Sequence, residues 1–489
     1  MNKRIKTLVI GGVVLLVLIG ALVALLLLGS SEQGEETAPP AASVMVLEKN
    51  ITTIEKLTIK NKNDEIVMTQ DEDGVFDVEV LKDLPTNEAD VKNMFSAMAV
   101  IEAVKVVEEE PKDLSEYGFD DPEAVITAEQ RDGSTYTLTV SMKSPLGDGY
   151  YAMLEGDPKV YLVRVNPYEK YVTVYGKDFL DLVFTSNAEG IDVEEFVDKI
   201  TLFREDIGYD LVFENLKDDS EMHYAPMYSS GFVMTAPIRA YIESAYFADV
   251  ADTASSFRAT SVVELFPSED KLAEYGLDDP TAVFSAVKND GTTVTIKVGK
   301  GCYSDPTTDE EPGTEITGHY IQLEGRDAVY YVKYTQMWFM RTTVFEMLSQ
   351  IPFAPNIIDV STVEVEAEGK KYTIAVELDE SGESVVGGTI DGTKLTRSNL
   401  TSFYIYAVSA LANGLYLEQQ TDAPLLTVTF NFSDASKSPL VATFHDIGDR
   451  KASITVNGET RFETRMAYVD NFFSNIIALS KDEAINMNY

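Results

Sequence analysis

The chain opens on a basic tip with Lys3, Arg4 and Lys6, then runs from Thr7 to Leu28 without a charge. That is about the 20 apolar residues a bilayer-spanning helix requires, and longer than the roughly 7–15 of a cleavable signal's apolar segment. The pattern predicts an uncleaved signal anchor over residues 1–29, with its N-terminus cytoplasmic by the positive-inside rule and the bulk of the chain outside. Cleavage after Gly29 or Ser30 is the minority reading. No cysteine follows the run, which excludes a lipid-modified anchor. Residues 30–42 (SSEQGEETAPPAA) are polar, hold paired prolines and show no apolar period, as a flexible tether does.

From there the pattern turns to alternation. Ile54, Leu57 and Ile59, then Ile66 and Met68, predict paired strands, with a turn at Asp73-Gly74. Val91, Met94, Phe95, Met98 and Ile101 recur at three and four residues behind Asn87, which predicts a capped helix. A short helical turn ends at Tyr117-Gly118, and Asp120-Asp121-Pro122 forces an extended exit. Alternation resumes at Val125 and passes an Asp132-Gly133 hairpin into Tyr136, Leu138 and Val140, then a second hairpin at Glu155-Gly156.

This stretch occurs twice. YGFDDP from Tyr117 returns as YGLDDP from Tyr275, and GYYAMLEG returns as GHYIQLEG. Tyr117 and Tyr275 stand 158 residues apart, as do Gly133 and Gly291, whereas Gly156 and Gly325 stand 169 apart. The second copy therefore carries an insertion, from Gly301 to Thr317. Its opening strands are expected at Phe196-Val197, Ile200 and Leu202, then from Leu211 to Phe213. A helix is expected from Ala236-Pro237 with Ile238, Tyr241, Ile242 and Ala245 inward, Pro237 suiting a first helical position. A third, worn copy shows strand residues Val363, Val365, Tyr372 and Ile374, helix residues Leu400, Phe403, Ala407 and Leu411, and a strand from Leu425 to Phe430. Pro424 and Gly458 stand 302 beyond Pro122 and Gly156, and Asn457-Gly458 replaces the Glu155-Gly156 hairpin. Self-similarity at fixed spacing means one supersecondary unit used repeatedly. The expected fold is α+β: tandem units of antiparallel sheet plus one main helix, over residues 43–185, 186–350 and 351–489.

Composition adds charge. With 39 basic and 81 acidic residues the net charge is −42, which repels nucleic acid and anionic headgroups. The single cysteine, Cys302, forbids an intramolecular disulfide, so the folds stand on their cores. It falls in the inserted loop and reads as incidental.

The repeated Tyr117, Gly118, Asp120, Asp121, Pro122, Gly133 and Gly156, with Tyr275, Gly276, Asp278, Asp279, Pro280, Gly291 and Gly325, resemble the hallmark of a bacterial domain-of-unknown-function family, numbered forty-three forty. The resemblance covers nearly all of the chain after the tether. It implies a membrane-anchored extracytoplasmic protein of the kind found beside ABC transporters of the gliding-motility type. The family offers no catalytic residues to carry over.

The residues themselves offer little chemistry. His223, His319 and His445 are scattered and lack a neighbouring nucleophile in any recognised motif, and His319 stands where the first copy has Tyr150. G-x-S-x-G, H-E-x-x-H and phosphate-binding glycine loops are missing. The Asp120-Asp121 and Asp278-Asp279 pairs supply two carboxylates each, against the six to eight oxygens calcium needs, and read as turn residues. Asp71, Glu72, Asp73 and Gly74 fail as an EF-hand loop, and Asp305, Asp309, Glu310 and Glu311 read as a solvated loop. No metal or cofactor is expected. Aromatics from Tyr330 to Phe339 read first as core; if exposed, Tyr330, Tyr331, Tyr334 and Trp338 would make a stacking row for an envelope glycan, and Tyr151, Tyr161, Tyr168, Tyr171 and Tyr175 a similar group. The expected function is a non-catalytic, anchored accessory or scaffold protein of an ABC-type transporter complex. A ligand- or glycan-binding protein is the second reading, and a hydrolase of unrecognised type the third.

Overall fold

A computed structural model of the chain describes residues 43–186, 195, 197–216, 224, 232–243, 246, 253–304 and 315–488. The anchor, the tether, His223 and the acidic cluster at 305–311 lie outside the described residues. Among the described residues no helix is long and apolar enough to cross a membrane.

Three nine-stranded antiparallel sheets follow one another. The first holds β1 (Val44–Glu48), β2 (Ile54–Asn61), β3 (Glu65–Gln70), β4 (Phe76–Val78), β5 (Val100–Glu108), β6 (Ala124–Gln130), β7 (Thr135–Lys143), β8 (Gly149–Leu154) and β9 (Val160–Arg164), in the order β1-β5-β9-β8-β7-β6-β2-β3-β4. The second holds β10 (Val197–Arg204), β11 (Asp210–Asn215), β12 (Phe232–Ala236), β13 (Ala240–Tyr241), β14 (Ser261–Leu265), β15 (Ala282–Lys288), β16 (Thr293–Tyr303), β17 (Ile316–Leu323) and β18 (Ala328–Lys333). The third holds β19 (Val360–Ala367), β20 (Lys370–Leu378), β21 (Val385–Ile390), β22 (Thr393–Leu395), β23 (Gly414–Leu415), β24 (Leu426–Phe432), β25 (Leu440–Gly448), β26 (Lys451–Val456) and β27 (Thr460–Arg465). Their orders are β14-β18-β17-β16-β15-β10-β11-β12-β13 and β23-β27-β26-β25-β24-β19-β20-β21-β22. Eight strands correspond one for one in all three. The first copy adds β1 at one edge, and the others add β13 and β22 at the opposite edge.

Register makes the correspondence residue-specific. Ile59 pairs with Ile126, Leu202 with Phe284 and Val365 with Val428, the last two standing 158 and 302 beyond Ile126. This strand pair also breaks register at a corresponding place in each copy, between Ile54 and Lys56, Val197 and Lys199, and Val360 and Thr362. A bulge there explains why apolar residues fall at 54, 57 and 59 rather than at strict alternation: one extra residue returns Ile54 to the buried face.

In the first and third copies the core lies between the sheet and its helices. Asn87 caps α1 (Glu88–Ala99) by accepting from the Asp90 N–H, and Val91, Met94, Phe95 and Met98 are buried. Ile101 is buried too, but on β5. A second helix, α2 (Val165–Thr173), follows the last strand of the sheet, and the Tyr136 hydroxyl donates to the Met98 carbonyl at 2.9 Å from beneath. In the second copy, α3 (Glu269–Tyr275) precedes the signature turn. The third copy pairs α4 (Arg397–Ala407) with α5 (Met466–Leu479), through Phe403 on Phe472 and Tyr406 stacked on Tyr468. α2 and α5 were not foreseen from the pattern. Leu411 lies beyond α4 and is exposed.

Two expectations in the second copy are corrected. No helix starts at Ala236-Pro237: Ala236 ends β12, the following peptide is cis, and the chain turns back into β13. Ile238, Ala240 and Ile242 are buried in alternation while Arg239 and Tyr241 are less so, the period of a strand. The insertion is not simply a loop. Its described ends prolong β16 and β17, Gly301 pairing with His319, Cys302 with Gly318 and Tyr303 with Ile316, so Cys302 is a half-buried strand residue.

The chain divides into two compact units, one ending at Phe179 and one running from Leu180 that also takes in Asp83–Pro85. The second and third sheets share the latter. The Ala354 N–H donates to the Tyr224 carbonyl and the Ala412 N–H to the Gln350 carbonyl, and Arg239 lies 3.8 Å from Glu459.

Candidate functional site

The repeated signature forms a corner on each of the first two sheets. Leu114–Tyr117 makes one tight helical turn, after which Gly118 adopts φ +77°. The Gly118 N–H donates to the Ser115 carbonyl and the Phe119 N–H to the Leu114 carbonyl. In the second copy the Gly276 N–H reaches Ala273 and the Leu277 N–H reaches Leu272, with Gly276 at φ +69°. This is the Schellman stop, which satisfies the last helical carbonyls and brings an apolar residue after the glycine onto one before it. Leu114 with Phe119, and Leu272 with Leu277, fill those two places.

The tyrosine of the signature ties the corner to the sheet. The Tyr117 hydroxyl donates to Glu108 at 2.7 Å, and the Tyr275 hydroxyl to Glu264 at 2.6 Å. Hydrogen bonding to Glu108 pushes the Tyr117 phenol up to about 12, and the bond to Glu264 raises that of Tyr275. Each ring also packs on another tyrosine, Tyr117 on Tyr151 and Tyr275 on Tyr320, with centroids 5.1 and 4.6 Å apart. Beneath the corner the Ser141 hydroxyl donates to the Tyr117 carbonyl at 2.8 Å. Gly299 holds the matching place in the second copy, where a Cβ would stand 2.2 Å from the Tyr275 carbonyl oxygen, and Lys300 caps that helix end by donating to the Ala273 and Glu274 carbonyls. Asp121 pairs with Lys62 at the surface. Gly133, Gly156, Gly291 and Gly325 turn hairpins at positive φ. All these roles are architectural.

A profile of the family described as Domain of unknown function (DUF4340) matches the chain over residues 78–280 and again over residues 233–424. The chain belongs to this family. The first DUF4340 match runs from the end of β4 into the second copy, and the second from within β12 to just before β24, so the two overlapping matches reach into all three sheets. No curated protein matches the sequence.

The titratable groups do not converge. Among the described residues no three of His, Cys, Asp and Glu gather as metal ligands would. His319 is buried with its Nδ1 3.1 Å from the Gly299 carbonyl, and burial lowers its pKa; burial lowers that of His445 too. Burial raises the Cys302 thiol.

The aromatic row is split. Tyr330 is fully buried, and Trp338 and Phe339 are buried as well: Phe184 packs on Tyr330, and Phe257 lies 6.4 Å from Phe339. Tyr330 and Trp338 thus cannot join a surface stacking row. Tyr331 donates its hydroxyl to the Thr317 carbonyl, and Tyr334 is half-buried between His319 and Arg341. In the first copy Tyr161, Tyr168 and Tyr171 are buried, and Tyr175 is exposed.

Trp338 does reach one cavity, of about 240 Å³, that sequence reasoning missed. Its floor is Thr253, Phe257 and Trp338, all buried, and its rim includes Arg258, Gln336 and Arg341, all exposed. The indole N–H donates to the Thr253 hydroxyl at 2.7 Å. Buried Arg204 fixes the turn that carries Trp338 and Arg341, donating to the Phe339 and Thr342 carbonyls at 2.9 and 2.6 Å while Asp206 takes its other face. Two arginines flanking the unique tryptophan were the available signal, but Arg258 is some 80 residues away in sequence.

Proposed function

We propose that this DUF4340 protein is a non-catalytic accessory or scaffold, anchored through the run from Thr7 to Leu28, with its sheets on the extracytoplasmic side, serving an ABC-type transporter complex. The observation that carries the reading is the use made of the repeated residues. The recurring tyrosines and glycines of the signature build a stop, a hairpin or a tyrosine brace, so what the copies preserve is a surface-bearing framework. Terminal repeats commonly diverge because they cover an open face or take a special role, and the third copy keeps the sheet while dropping the Tyr-Gly corner. The acidic surface suits a body held off anionic headgroups. The transporter partner comes from the resemblance of the signature, and the anchor from the apolar leader.

Native electrophoresis of detergent-solubilised membranes tests this. The full chain is expected to co-migrate with an ATPase-bearing complex, and a chain lacking residues 1–42 to migrate alone. Migration of the full chain as a free protein contradicts the proposal.

A further inference from the structure

We propose that the cavity beside Trp338 binds a small oxyanion-bearing ligand of the class of acidic or phosphorylated monosaccharides. Acidic residues outnumber basic ones 81 to 39 in this chain, yet among the described residues no carboxylate lines this cavity and two arginines stand at its mouth. Neither Arg258 nor Arg341 forms an ion pair among the described residues. Arg341 is already oriented, lying 5.7 Å over the Tyr334 ring and donating one Nη to the Thr335 carbonyl at 3.4 Å, which leaves the rest of its fork for a ligand. Planar guanidinium forks match carboxylate and phosphate oxygens. Gln336 accepts from the Thr260 hydroxyl at 3.2 Å through its carbonyl, so its amide N–H groups remain to donate. The floor supplies apolar ring surface, Phe257 and the indole, whose own N–H is spent on Thr253. The volume lies below the roughly 300–1,000 Å³ of drug-sized pockets, which fits one ring and its charged group. Because Arg204 braces the turn from within, the site is preformed.

Trp338 is the single tryptophan, so its emission reports on this site alone. The full chain in detergent is titrated with glucuronate, glucose 6-phosphate, glucose and inorganic phosphate. A saturable change with at least one acidic sugar and none with glucose is expected, and Arg258→Gln and Arg341→Gln should each weaken binding about tenfold or more, as loss of a charge-assisted hydrogen bond does. Both arginines are exposed, so the variants should keep the parent's thermal midpoint; should either fail to, Gln336→Ala takes its place, with the same weakening expected. No saturable response to either acidic sugar overturns the proposal, as does an equal response to glucose or a response unchanged in the variants. Inorganic phosphate binding as tightly as glucose 6-phosphate overturns the sugar assignment. None of these outcomes depends on the transporter partnership.

Discussion

At the scale of single residues, glycines separate two kinds of turn. Gly133 has φ +84° with nothing within 4 Å of an added Cβ, whereas at Gly118 that Cβ would stand 2.9 Å from the Ser141 Oγ, and at Gly149 2.2 Å from the Val163 carbonyl oxygen. Denaturant midpoints of the three alanine variants should therefore fall in the order Gly133, Gly118, Gly149. The first should cost about 1 kcal/mol from positive φ alone and the last appreciably more; equal losses would remove the close-approach argument. The tyrosine braces make a pH prediction. An unfolded tyrosine titrates near about 10, and Tyr117 in the folded protein near about 12, with Tyr275 raised as well. A folded-state pKa above the unfolded one gives stability that is complete below pH ~10 and lost as pH rises through the folded value. Phenolate absorbance should therefore lag free tyrosine and rise together with unfolding, and Tyr117→Phe should flatten that alkaline loss. A denaturation midpoint unchanged across this window would contradict the brace. The stop itself was legible, since Tyr-Gly before Asp-Asp-Pro admits few other readings. The brace was not, because Glu108 on β5 and Ser141 on β7 meet Tyr117 only once both strands belong to one folded sheet.

At the scale of elements, the strongest prediction concerns α4 and α5. Phe403 and Phe472 are buried against each other, and the Tyr406 and Tyr468 hydroxyls donate across to the Tyr468 and Ala407 carbonyls. Truncating either phenylalanine to alanine should destabilise by about 3–5 kcal/mol, read as a shifted midpoint at constant denaturant slope. A loss under 1 kcal/mol would mean the helices are not packed as described. Most strands and hairpins were legible because alternation and Asp-Gly or Asn-Gly turns carry local signals. The failures have physical causes. At Ile238–Ile242 apolar residues satisfy both a helical and a strand spacing, and only burial in alternation decides between them. The bulge at Ile54 reads as irregular spacing until the partner strand shows that one residue is extra. α5 has a helical stripe in Tyr468, Val469, Phe472, Ile476 and Leu479, whereas its counterpart in the first copy, α2, is short and departs from helical geometry at Asn166.

At the scale of the whole molecule, the 302-residue offset of Pro424 and Gly458 pointed to a third copy, and a third nine-stranded sheet is there although the signature is missing. Spacing survives because sheet pairing constrains strand length and turn position more tightly than it constrains side chains. What spacing could not tell is that the second and third sheets fold into one compact unit, since the contacts joining them, such as Ala354 to Tyr224, repeat nothing in the first copy. Calorimetry should resolve two transitions, the smaller for the unit ending at Phe179; three separable transitions would contradict a shared unit. The cavity at Trp338 was likewise beyond the repeat, because its lining belongs to the second copy alone. The most direct test of the account is affinity capture of the full chain from crosslinked native membranes, beside a chain lacking residues 1–42. Transporter subunits should be recovered with the anchored chain and not with its control. Recovery of cell-wall fragments by both, without transporter subunits, would contradict it.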